Sequence, residues 1–63
     1  MTDIHVRDEG TLVLFELMTD AARAWWAEHV DPECERFGRW YTVGHRYALD
    51  IVNGATSDGL EVT

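Results

Sequence analysis

The residues that most restrict what this chain can become run from Thr11 to Val30, TLVLFELMTDAARAWWAEHV, where a strand pattern gives way to a helix pattern within two residues. Thr11 to Leu17 is almost wholly β-branched, aromatic or leucine. Val13, Phe15 and Leu17 alternate with Leu12, Leu14 and Glu16, so the segment reads as a strand apolar on both faces and therefore interior to a sheet. Thr19 then offers a helix N-cap, Asp20 a negative charge on the first turn, and Ala21, Ala22 and Ala24 strong helix propensity. A helix packed on a sheet is the expected frame for everything else.

At 63 residues the chain is one domain spanning 1–63, near the lower limit at which a single core holds without staples. Ile4, Val6, the central strand, Trp25, Trp26, Val30, Phe37, Trp40, Tyr41, Val43, Tyr47, Ile51, Val52, Leu60 and Val62 can fill one layer between a sheet and two helices. Cys34 is the single cysteine, so no disulfide forms within the chain and a reducing cytoplasm is the expected compartment. The N-terminal MTDIHVRDEG reads neither as a signal peptide nor as an anchor, and no stretch approaches the apolar run of a membrane span.

The rest of the chain fits the same frame. Ile4 and Val6 alternate with polar neighbours as a short first strand, and Asp8-Glu9-Gly10 makes a turn into the central one. On the first helix Met18, Ala22, Trp25, Trp26 and His29 form one stripe. Adjacent tryptophans project about 100° apart, so one of the pair belongs at the rim of the interface. Asp31-Pro32 ends the helix, Glu33 to Arg36 is a charged connection, and Arg39 to Val43 reads as a third strand with Trp40 and Thr42 on one face. From His45 a second helix places Ala48, Ile51, Val52 and Ala55 inward, with Tyr47 at the border and Arg46 able to pair with Asp50. Gly54 weakens it, Gly59 closes it, and Leu60 to Val62 returns as a last strand. The expected class is α+β, ordered β-β-α-β-α-β, with a mostly antiparallel sheet and both helices on one face. Leu12 and Leu14 then lie on a second sheet face that is either lightly covered or a contact surface.

Twelve Asp and Glu against five Arg, with no lysine, give a net charge of −7. Direct binding to nucleic acid or to an anionic membrane is disfavoured by that charge, and a basic partner is favoured. Solubility alone also accounts for such a charge. His29, Asp31, Glu33 and Cys34 cluster in sequence, but their spacing matches no zinc pattern and supplies one thiolate, so no metal is expected. Neither a Cys34-based nucleophile nor a pocket separating carboxylate pKa values is indicated, and the chain reads as a cofactor-free non-enzyme. Carboxylates on a rigid surface can imitate the phosphate charge of DNA while an aromatic side chain supplies desolvated area. The candidate contacts are Glu28, Asp31, Glu33, Glu35 and Asp50, with Trp26 and Tyr47 as anchors.

The segments VRDEGTLVLFELMTDAARAWW and RYALDIVNGATSDGLEV resemble a family of short acidic proteins encoded by bacteriophages and prophages. The resemblance rests on Gly10-Thr11, on Thr19 to Arg23 with Trp25, and on Arg46-Tyr47 with Asp58 to Leu60. Met18 and Gly44 stand where relatives often carry a proline near the helix entries. Among such proteins this chain is similar to anti-CRISPR inhibitors of type I systems, I-C among the candidates. That similarity implies a stoichiometric inhibitor in the bacterial host cytoplasm that binds a basic DNA-binding subunit of the surveillance complex and blocks target recognition. Monomer and weak homodimer are both compatible with it. The alternative is a phage accessory or regulatory protein that binds another host protein or its own copy through the Leu12 and Leu14 face.

Overall fold

The computed structural model describes residues 1–30 and 34–63. Strands β1 (Ile4–Asp8) and β2 (Leu12–Leu17) are followed by helix α1 (Asp20–His29), a two-residue strand β3 (Arg36–Phe37), strand β4 (Trp40–Gly44) and helix α2 (His45–Ser57). The four strands form one antiparallel sheet in the order β1-β2-β4-β3, which puts β2 inside it as its two apolar faces require.

Register decides which side chains meet. Ile4 opposes Leu17, Val6 opposes Phe15, Val13 opposes Val43 and Phe15 opposes Tyr41, so these residues share one face. Both helices cover that face. Ala22, Trp26 and Val30 from the α1 side and Ala48, Ile51 and Ala55 from α2 close over Ile4, Val13, Phe15 and Val43 in a single core. Phe15 and Ile4 are fully buried, and each contributes on the order of 1.5–3 kcal/mol of apolar transfer free energy. The tryptophan pair divides as its 100° separation demands. Trp26 enters the core between Phe15 and Tyr41, with ring centroids at 5.3 and 4.8 Å, while Trp25 lies at the rim against α2.

Local signals explain the element ends. Thr19 Oγ1 accepts the Ala22 amide at 3.1 Å, as an N-cap should. At the end of α2, Leu60 N–H donates to Ala55 and Gly59 N–H to Thr56, with Gly59 at φ 91°. This is the Schellman arrangement, and it requires the left-handed conformation that glycine adopts without strain. Gly38, at φ 63°, makes the two-residue turn between β3 and β4.

Three expectations are corrected. The order is β-β-α-β-β-α, because Arg36–Phe37 pairs with Trp40–Tyr41 as a short edge strand where a plain connection was expected. Leu60 to Val62 does not form a strand: only Val62 bridges, in parallel, to Ile4. The Glu61 amide is taken instead by the Asp3 side chain at 2.9 Å. Phe37, expected in the core, is 75% exposed, because it pairs with Trp40 and so shares the sheet face away from the helices.

Candidate functional site

The described carboxylates fall into two groups. Asp3, Asp8, Glu9, Glu16, Asp20, Asp58 and Glu61 each hold a hydrogen bond or ion pair within the chain. Glu28, Glu35 and Asp50 hold none through their side chains among the described residues, and all three are exposed. No counter-ion lies within ion-pair distance of them among the described residues. Glu28 projects from α1, Asp50 from α2, and Glu35 flanks the sheet edge, where its backbone carbonyl accepts the Thr42 amide at 2.8 Å. Asp31 and Glu33 lie outside the described residues.

Of the two aromatic anchors expected from sequence, Tyr47 is accessible, being 44% exposed on the first turns of α2. Trp26 is not. At 5% exposure, wedged between Phe15 and Tyr41, it cannot touch a partner without opening the core. Trp25 is the tryptophan at the surface margin. Its indole N–H donates to Asp58 Oδ2 at 2.6 Å, its ring stacks on His29 at 4.6 Å, and Gly54 lies beneath it. Arg46 and Asp50, expected to pair along α2, form no ion pair.

The sheet face away from the helices carries His5, Arg7, Leu12, Leu14, Glu16, Trp40 and Thr42, by the alternation of the same register. Leu12 is 47% exposed there. The rings of His5 and Trp40, from the strands on either side of Glu16, approach to 5.8 Å, and the Glu16 side chain between them is only 17% exposed. Arg39 supplies its counter-charge at 3.4 Å.

Sequence reading overlooked an arginine notch of about 250 Å³ at the end of β2, lined by Glu16, Leu17, Arg23, Arg36, Arg39 and Tyr41. The usable signal was Arg36-Phe37-Gly38-Arg39 itself, a glycine turn bracketed by arginines and aromatics, which reads as a hairpin. Arg23 reaches the notch from α1, held by the Leu17 carbonyl at 3.2 Å and Asp20 at 2.6 Å. Arg36 lies over the outer flank of Tyr41, 5.3 Å from the ring centre, and its Nε donates to the Gly38 carbonyl at 2.9 Å.

No group of three or more metal-ligating side chains occurs among the described residues, and Cys34 is half-buried with its thiol directed at the Thr42 carbonyl. No described helix is long and apolar enough to cross a membrane. The Asp3 carboxyl is held below the ordinary 3.8 by the Glu61 amide and then the Thr19 hydroxyl, with desolvation opposing and the N-terminal charge assisting, which is a structural role. These features define a small acidic α+β domain with an open sheet face and three exposed carboxylates, Glu28, Glu35 and Asp50, that hold no partner among the described residues. Comparison of the chain with protein-family models, curated proteins and solved structures finds no match.

Proposed function

We propose that this chain is a non-enzymatic, stoichiometric inhibitor that binds a basic DNA-binding subunit of a type I CRISPR surveillance complex and blocks target DNA recognition. The observation that carries the reading is the set Glu28, Glu35 and Asp50, carboxylates that hold no ion pair or side-chain hydrogen bond among the described residues in a chain of net charge −7. A structural carboxylate is normally satisfied at home, whereas one that meets Lys or Arg of a partner stays open until binding. Tyr47 stands three residues before Asp50 on the same helix and adds aromatic area. The resemblance to phage-encoded acidic proteins supplies the identity of the partner.

The test is phage plaquing on bacteria with an active type I system, with and without this protein, followed by capture of the complex at low and high salt. Restored plaquing with salt-sensitive capture supports the reading. Soluble expression without rescue in any subtype overturns it.

A second reading rests on the uncovered sheet face, where Leu12 is 47% exposed. Here the chain is a phage accessory protein that self-associates or binds another host protein through Leu12 and Leu14. Sedimentation distinguishes it, since dimerisation abolished by Leu12→Glu belongs to this reading alone.

A further inference from the structure

Three of the five arginines of a strongly acidic chain line one notch, although like charges repel and open surface was available to disperse them. Two are already answered by carboxylates: Arg23 by Asp20 at 2.6 Å and Arg39 by Glu16 at 3.4 Å. Arg36 is not. Its Nε is committed to the Gly38 carbonyl, its flat face lies over Tyr41, and its two terminal nitrogens hold no hydrogen bond or ion pair among the described residues. The guanidinium is thus fixed in orientation with its end free, the fork that matches the two oxygens of a carboxylate. The Tyr41 hydroxyl, in the same notch, also has no partner among the described residues.

We infer that the notch is a binding site for a single carboxylate carried on an apolar or aromatic group, gripped end-on by Arg36 with Arg39 beside it. The charge count selects the ligand. Three guanidiniums against Glu16 and Asp20 leave one positive charge, which a carboxylate neutralises and a phosphomonoester dianion overshoots. The aliphatic side chain of Leu17 and the Tyr41 ring give the carrier an apolar wall. A notch of about 250 Å³ accepts one such group and no more. The site is opposite in sign to the acidic contacts proposed above and stands independently of them.

Titration of the ¹⁵N-labelled full chain by NMR tests this with three probes: phenylacetate, inorganic phosphate, and a short peptide ending in phenylalanine as the free acid or the amide. Saturable shifts of the Arg36 Nε–H and of Leu17 and Tyr41 are expected with phenylacetate at concentrations up to about 10 mM, a single exposed carboxylate being a weak ligand. Arg36→Gln weakens that binding about tenfold, the loss of one charged hydrogen-bonded pair, and Glu16→Gln strengthens it by removing the competing carboxylate. Saturation by the free-acid peptide but not the amide assigns the natural source to a chain terminus, and response to phenylacetate alone assigns it to a small molecule. Phosphate binding as well as phenylacetate, or shifts that survive Arg36→Gln in a folded protein, overturn the inference.

Discussion

The Thr19 hydroxyl donates to Asp3 Oδ1 at 2.7 Å while its oxygen accepts the Ala22 amide, so the cap of α1 is fastened to the strand that begins the sheet. Asp3 completes the joint by accepting the Glu61 amide and by giving its own carbonyl to the Met18 amide. One aspartate thereby ties β1, the entry to α1 and the segment after α2 together.

A pH dependence follows from this joint. The carboxyl of Asp3 is held below 3.8 in the folded chain, chiefly by the Glu61 amide and then by the Thr19 hydroxyl. A group whose folded pKa is depressed stabilises fully above its unfolded value and ceases to do so as pH falls through the folded one. Asp3→Ala is therefore expected to lower the urea midpoint at pH 7, with the difference from the parent narrowing below pH 3.8. A difference that stays constant into acid would show that the charge plays no part. Thr19→Ala, which removes the cap itself, is expected to cost about 1 kcal/mol at neutral pH.

Gly54 presents the opposite case, a residue whose replacement should help. It lies inside α2 with ordinary negative φ, and an added Cβ would meet Trp25 Cζ2 at 3.4 Å, an ordinary van der Waals approach. Alanine gains about 0.5–1 kcal/mol over glycine in a helix interior. Gly54→Ala is accordingly predicted to raise the melting temperature while Trp25 keeps its bond to Asp58. A lower melting temperature would mean that the indole cannot give way by the small amount required.

What could be read from the sequence were the features decided by neighbours in the chain. The alternation of Thr11 to Leu17, the Thr19 cap and the closing role of Gly59 each depend on a few consecutive residues, and each stands in the structure as expected. The edge strand at Arg36–Phe37 escaped because two residues carry no period. The choice between Trp25 and Trp26 escaped because both fit the helical stripe, and the decision lies with Gly54 on another helix, which leaves room for one indole at the rim. The convergence of Arg23, Arg36 and Arg39 is a purely tertiary event, joining a helix and a hairpin at the end of β2. At the proposed acidic surface the residue types were legible, but which carboxylates remain unpaired was not, since Asp20 and Asp58 look no different from Glu28 and Asp50 in sequence.

The burial of Trp26 separates fold from contact. Trp26→Ala removes the ring that fills the space between Phe15 and Tyr41, a change worth about 3–5 kcal/mol. A domain of this size has little more than that to lose. The variant is expected to be largely unfolded by circular dichroism at 37 °C, whereas Trp25→Phe keeps the fold and loses only the bond to Asp58. If Trp26→Ala stayed folded, the packing role assigned to it would be wrong.

Reversing charge at the unpaired carboxylates tests the proposed surface without touching the core. Glu28, Glu35 and Asp50 are exposed and their side chains hold no partner among the described residues, so replacing all three with lysine breaks no described interaction. Surface changes of this kind alter stability by no more than about 0.5 kcal/mol each, and here the lowered net charge slightly favours the compact state. Binding to a basic partner should respond in the opposite sense, because attraction becomes repulsion at the points of contact and like charges across an interface cost several kcal/mol in total. The expected outcome is a melting temperature at or slightly above the parent's together with loss of inhibition in the plaquing assay. Loss of inhibition in Leu12→Glu but not in the triple lysine variant would transfer the contact to the open sheet face, where the partner would be recognised by apolar area and not by charge.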